Sequence, residues 1–266
     1  MLKRNKPFSN EKSPVLYLVG TPIGNLKDIS QRAVEVLKSV DLIASEDTRN
    51  TSFLLKNLGI ENKKLVSCYS QKEKEEGKKI INAMLTEGVS VAFVSDAGNP
   101  GISDPGAILC SMAIEENIPV TAVLGPSAFV QALITSGFDT SDFSFYGFLP
   151  VKENVRKDFL KNLKERKETL IFYESPHRID KTLSSMFEAF GAERRVVISR
   201  ELTKIHEEYL RGTLGDMIDF PEDAKRGEFV IIVEGAKNIE SDTDDDKIIE
   251  CIKAVSYTHL TAADDR

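Results

Sequence analysis

Two glycine-rich turns and three charged clusters hold the residues able to do chemistry in this chain. The first turn, Gly20-Thr21-Pro22-Ile23-Gly24-Asn25, follows an apolar run directly. In an open α/β sheet that is where ligands sit. It is not a dinucleotide fingerprint, because Pro22 and Asn25 stand where G-x-G-x-x-G needs glycine. On spacing alone it serves equally as a structural turn or a ligand loop. The second turn runs from Ser95 through Asp96-Ala97-Gly98-Asn99-Pro100-Gly101-Ile102-Ser103-Asp104-Pro105 to Gly106, and eight of its twelve residues are Gly, Pro, Asp or Asn. Such a loop presents backbone donors and two carboxylates to a ligand. Gly101 and Gly106 have phosphate-loop spacing, yet Ala107-Ile108 follow where lysine and a hydroxyl are needed, which rules out that kind of nucleotide hydrolysis. The clusters are Ser45-Glu46-Asp47-Thr48-Arg49, Glu174-Ser175-Pro176-His177-Arg178 and Arg200-Glu201-Leu202-Thr203-Lys204. Any one of them could cap a helix. Three at strand ends, carrying both signs of charge, point to a shared polar cleft.

Other chemistries fail on single residues. Gly125-Pro126-Ser127-Ala128-Phe129 starts like a nucleophile elbow, but Phe129 replaces the second glycine. His206-Glu207-Glu208-Tyr209-Leu210 starts like a zinc-protease motif, but Leu210 replaces the second histidine. Cys68, Cys110 and Cys251 have neither zinc spacing nor the number for a disulfide framework, so reduced thiols in a cytoplasmic protein are expected.

The elements that must position these residues follow from hydrophobic periodicity. Strands are expected at 15–19, 41–45, 65–69, 89–94 and 120–124, with helices at 30–40, 48–58, 74–85 and about 105–117. Regular alternation of strand and helix implies a parallel sheet covered on both faces. Beyond residue 125 the pattern changes. Strands are expected at 143–149, 169–174, 195–202, 207–212 and 228–234, with helices at 154–167 and 178–190. The last two strands lie close together, which suggests an antiparallel pair within a mixed sheet. The expected fold class is therefore α/β, with an N-terminal domain at 14–125, a C-terminal domain at 126–236 and a cleft between them. Residues 237–266 read as an acidic linker, one short helix at 248–255 and an irregular end.

The 266 residues carry a net charge of −7, with 41% hydrophobic and 29% charged residues, an ordinary globular composition. No run reaches the ~18 apolar residues of a membrane span, and residues 1–12 lack the apolar segment of a secretory signal. The charge is unevenly placed. Residues 237–266 hold eight acidic and four basic groups, whereas 152–211 hold 14 basic and 11 acidic ones. Local positive surface is what an RNA partner requires, so the acidic total does not exclude one.

Five motifs in order carry a resemblance: Gly20 to Asn25, Ser45 to Arg49, Ser95 to Gly106, Gly125-Pro126-Ser127-Ala128, and Phe172-Tyr173-Glu174-Ser175-Pro176-His177-Arg178. Over about residues 14–236 the chain resembles the tetrapyrrole-methylase-like superfamily, and within it the family that methylates small-subunit ribosomal RNA. The resemblance implies a two-domain α/β homodimer holding S-adenosylmethionine in the cleft. It also implies methylation of a cytidine ribose 2′-oxygen in 16S rRNA at the decoding centre. The cofactor residues it implies are Pro22, Asp96, Gly98, Asn99, Ile102, Ser127, Ala128, Tyr173, Glu201, Glu228 and Phe229, with no metal. Family members often continue into a small helical C-terminal domain expected to help hold RNA; residues 237–266 would shorten it, so a lower RNA affinity than in such relatives is expected.

In-line attack of a ribose oxygen on a sulfonium methyl needs alignment and removal of one proton. Among the cleft carboxylates Glu46, Asp47, Asp96 and Glu174, the acceptor or its orienter is expected to be Glu174 or Glu46. Arg49, Arg178, Arg200 and Lys204 are expected to hold RNA phosphates or stabilise the developing oxyanion. His177 reads equally as a base, a cap or a surface residue. Two rivals are a methyltransferase of the same fold acting on a porphyrinoid precursor or modified amino acid, and a non-catalytic RNA-binding or ribosome-assembly module.

Overall fold

Runs such as Leu42–Ser45 and Val91–Val94 are buried along their whole length, which only a strand covered on both faces allows. The computed structural model describes residues 13–237. Its first sheet contains β1 (Leu16–Val19), β2 (Leu42–Ser45), β3 (Lys64–Ser67), β4 (Val91–Val94) and β5 (Val120–Val123). The order is β3-β2-β4-β1-β5, with every pairing parallel. Side chains alternate across it. Leu42, Ala44 and Phe93 pack with Met84 of α3 (Glu73–Glu87) and Leu109 of α4 (Ala107–Glu115). Ile43, Ala92 and Val94 face the other way, toward Leu37 of α1 (Gln31–Ser39) and Leu55 of α2 (Thr48–Asn57). In a parallel sheet the C-terminal ends of all the strands lie on one side, and both glycine-rich turns, which follow β1 and β4, emerge there.

Helix α4 begins at Gly106, which has no side chain to cap it. The cap comes from α3: buried Glu73 accepts from the backbone N–H of Gly106 (2.9 Å) and of Leu109 (3.0 Å) through Oε1. The contact ties the end of the long loop 95–106 to the core. Glu73→Ala leaves both donors unpaired in a dry place and is expected to cost about 1–2 kcal/mol in urea unfolding. Glu73→Gln keeps the accepting oxygen and should cost less.

The second sheet contains β6 (Phe143–Phe148), β7 (Thr169–Glu174), β8 (Arg195–Arg200), β9 (Glu208–Thr213) and β10 (Phe229–Val233), in the order β6-β7-β10-β8-β9. Only β6 and β7 are parallel. Helices α6 (Glu153–Lys161) and α7 (Ile179–Phe190) belong to this half, and their Leu160, Leu183 and Met186 pack with Phe172 and Ile231. The opposite face is covered by α5 (Ala128–Ser136), through Ala132 and Leu133 against Ile171, Val197 and Ile232. Thus α5 follows the first sheet in the chain but packs on the second.

Three expectations are corrected. Strands β9 and β10 do not pair with each other; β8 lies between them and is antiparallel to both. The reason is burial: every residue of β10 is buried, so it takes a central place, whereas β9 is half exposed and forms the edge. The helix expected over 154–167 ends at Lys161, and the chain continues in tight turns such as Leu163 N–H to Leu160 O at 2.9 Å. Helix α5 was not expected at all. The short helix at 248–255 and the acidic linker beyond Lys237 lie outside the described residues. Among those described, no helix is long and apolar enough to cross a membrane.

Candidate functional site

The loops leaving the first sheet meet the strand ends of the second around a cavity of about 530 Å³. Its first wall is built by cross-linking loops. Thr21 and Gly98 exchange backbone hydrogen bonds of 2.8 and 3.1 Å, which joins the turn after β1 to the turn after β4. Gly20 and Gly125 then touch backbone to backbone: a Cβ on Gly125 would lie 2.6 Å from the carbonyl carbon of Gly20. Asn99 fastens the contact, donating to the carbonyls of Gly125 (3.3 Å) and Pro126 (3.1 Å) and accepting from Gly125 N–H (3.2 Å). Asp96 accepts from Asp47 N–H (3.2 Å) and from the Asn50 amide (2.9 Å), so it holds the entrance of α2 and carries Glu46 with it. Asp47 is the N-cap of α2, accepting from Arg49 N–H at 2.8 Å. Its capping role, open in the sequence, is therefore real. The loop closes through Ser103, held in the left-handed region at φ 63°.

Most of the expected site residues converge here. Asp96, Gly98, Asn99, Ile102, Ser127 and Ala128 line one side, with Glu46; Tyr173, Glu174, Glu228 and Phe229 line the other. The cavity adds residues given no role of their own in the sequence: Ile23, Ser103 and Asp104 from the two glycine-rich turns, Leu202 from the third charged cluster, and Phe148 and Val230 from outside them. Pro22 borders a smaller neighbouring groove that shares Asp96. The expected cations stand outside. Arg49 is 88% exposed and paired with Asp47. Arg200 is bound by Glu208 and by the carbonyl of Arg226. Lys204 bridges Glu201 (2.9 Å) and Glu228 (3.1 Å) above a separate groove that includes Glu201 and Gly24.

The lining contains five carboxylates and neither lysine, arginine nor histidine. Burial, then the charges of Glu46 and Asp96, push the Asp104 carboxyl up to about 6. Glu46 is raised as well, by burial first and then by Asp96 and Asp47. Asp47 behaves oppositely, held near 2 by its hydrogen bonds from Arg49. Burial drives the Tyr173 phenol up to about 12, so it remains a neutral donor. Glu174 borders the cavity, but its oxygens are occupied: one accepts from Ser175 N–H (2.8 Å) with Arg178 Nε at 3.4 Å, the other from Thr182 Oγ at 2.6 Å. Among the described residues, no group of three His, Cys, Asp or Glu is placed to hold a metal.

Arg178 and Lys204 pair with Glu174 and Glu228 from outside the lining, which leaves Glu46, Asp96 and Asp104 without an ion pair among the described residues; such a wall repels phosphate and favours a cationic ligand. A parallel sheet joined to a mixed one around such a cavity is the two-sheet α/β architecture that the resemblance to a methyltransferase superfamily implies. Residues 15–218 match the family of tetrapyrrole (corrin/porphyrin) methylases. The chain is 49% identical to ribosomal RNA small subunit methyltransferase I of Halalkalibacterium halodurans over 83% of its length and 75% of that protein. Identity to the protein of that name in Bacillus subtilis is 45%, covering 92% of this chain and 84% of that one. For Vibrio cholerae it is 43%, with 88% and 81% covered. The structure of uroporphyrin-III-C-methyltransferase from Thermus thermophilus superposes with a TM-score of 0.58 at 18% identity, over 83% of this chain and 94% of that one, a likeness of fold. The chain belongs to the tetrapyrrole methylase family and, within it, to the ribosomal RNA small subunit methyltransferase I family. It is a methyltransferase whose methyl donor is S-adenosylmethionine.

Proposed function

We propose that the protein methylates the ribose 2′-oxygen of a cytidine in 16S rRNA at the decoding centre, acting in the cytoplasm as a homodimer. One observation carries the reading: the acid-only lining of the cleft, in a chain whose relatives are named for small-subunit ribosomal RNA. Exposed apolar side chains at Leu124, Val130 and Ile134 support self-association. S-adenosylmethionine supplies an electrophilic methyl group on a positively charged sulfur. Asp96 and Asp104 offset that charge, and Phe148, Leu202 and Val230 provide the apolar wall for the donor's base. Gly98, Asn99, Ile102, Ser127, Ala128, Tyr173, Glu228 and Phe229 complete the cofactor-facing surface, whereas Pro22 and Glu201 act from its margin. Glu46 takes the ribose proton; Glu174, fully engaged by its neighbours, holds the start of α7. With no cation in the wall, RNA phosphates stay outside and only the ribose edge approaches.

The test is transfer of labelled methyl from S-adenosylmethionine to purified small subunits and to free 16S rRNA, followed by nucleoside mass spectrometry. Labelled 2′-O-methylcytidine is expected. Label on a base, or on a porphyrinoid offered in competition, overturns the reading.

The electrostatics make a further prediction. Ionised Asp104 attracts a sulfonium and protonated Asp104 does not. Affinity for S-adenosylmethionine should therefore be weak below pH 6, rise as pH passes through about 6, and level off above it. Calorimetry in two buffers should detect proton release on binding near pH 6. Asp104→Asn should flatten the curve at the weak level.

A further inference from the structure

Beside the cavity, α2 presents an aromatic side chain that the fold does not use. Phe53 is 69% exposed and has no ring or cation partner among the described residues. Arg49 and Lys56 precede and follow it by four and three positions, which places all three on one helical face. Both sides of the Phe53 ridge are open. One groove is formed with Arg49, Ser52, Lys56 and Leu65. The other, formed with Pro22, Leu26 and Asn50, runs to Asp96, which also lines the main cavity. Arg49 is oriented in advance: its Nε and Nη2 bond to Asp47, leaving Nη1 without a partner among the described residues. Lys56 is exposed and makes no ion pair among them.

An exposed ring between two cations, on a path into an acid cavity, has the chemistry of a single-stranded nucleic-acid platform. Bases stack on the ring with little regard to sequence, and the cations take the backbone. We propose that Phe53 stacks on a base neighbouring the methylated nucleotide, while Arg49 and Lys56 hold the adjoining phosphates, so that the ribose is delivered past Asp96 to Glu46. The charges are complementary: the strand's phosphates find cations on α2 and are kept out of a cavity that has none. This inference rests on the proposed ribosomal RNA substrate.

It is tested by steady-state methylation of small subunits by the full-length protein and by Phe53→Ala, Phe53→Leu and Phe53→Trp variants. Binding of S-adenosylmethionine, melting temperature and sedimentation are measured alongside. Expected are a KM for RNA raised about tenfold or more in Phe53→Ala and Phe53→Leu, near-normal values in Phe53→Trp, and unchanged donor affinity and sedimentation. Replacing Arg49 and Lys56 together by glutamine should reduce the slope of log affinity against log salt by about 1.4. If the unaltered protein methylates the subunits and Phe53→Ala or Phe53→Leu keeps its KM, this inference alone is overturned. A KM change accompanied by a lower melting temperature or an altered sedimentation coefficient overturns it too, by assigning Phe53 to packing. If the unaltered protein transfers no methyl to RNA, the substrate proposal falls and this one falls with it.

Discussion

Glu46→Gln is expected to lower kcat by about 10²–10⁴-fold while weakening donor binding by less than about tenfold, because Asp96 and Asp104 remain. Glu46 combines a half-buried position in the cavity wall with a carboxyl raised by burial and by Asp96. A base must be ionised to act. The rate should therefore climb with pH with an apparent midpoint displaced upward from that of an ordinary glutamate, and fall as Glu46 is protonated below it. In Glu46→Gln that limb should vanish from the residual rate. Glu174→Gln is the informative contrast. It replaces an oxygen that accepts from Ser175 N–H or Thr182 Oγ, so its expected effect is lower stability with turnover per folded molecule retained. A folded Glu174→Gln protein with no turnover, beside an active Glu46→Gln, would exchange the two assignments.

Gly125→Ala is expected to destabilise the fold by about 2–4 kcal/mol and to abolish donor binding. The added methyl would lie 2.6 Å from the carbonyl carbon of Gly20 and 2.8 Å from its Cα and oxygen. Those atoms have nowhere to go, since β1 and β5 are paired along their lengths and Gly20 N–H bonds to Val123 O at 2.9 Å. Relief would come only by displacing Pro126, Ser127 and Ala128, two of which line the cavity. Gly59→Ala is the control. Its φ of 64° is unfavourable for alanine, but nothing lies within 4 Å of the new methyl. It should cost about 1 kcal/mol and leave donor binding intact. Urea midpoints and calorimetry read both effects.

How far such a site can be read from sequence depends on where its physics originates. Loops at the ends of buried strands are local patterns, so the turn 95–106 could be marked as a ligand loop from its composition, whereas the placing of Gly98 and Ser127 at a cofactor came from the resemblance. Asp104 is the second carboxylate of the same glycine-rich turn, but no role for it is legible in the sequence. Its raised carboxyl comes partly from Glu46, 58 positions away in the chain. Arg200 and Lys204 looked free for substrate because their partners Glu208 and Glu228 meet them only in the folded sheet. Helix α5 is apolar on nearly every side, so no helical period marks it until the second sheet covers it. Likewise, nothing local in β9 and β10 tells that β8 separates them; that follows from which strand can be buried on both faces.

The all-acid lining also bears on turnover. Methyl transfer removes one positive charge from the bound donor, because the sulfonium becomes a neutral thioether. In the proposed site the carboxylates that would draw the cation in, Asp96 and Asp104 among them, would then face a ligand they attract less. With the pair no longer neutralised, Asp104 regains its tendency to bind a proton. Such a cavity would be selective in time as well as in chemistry: it would hold the loaded donor and loosen its grip on the spent one, so that each methyl delivered would prepare the site to empty.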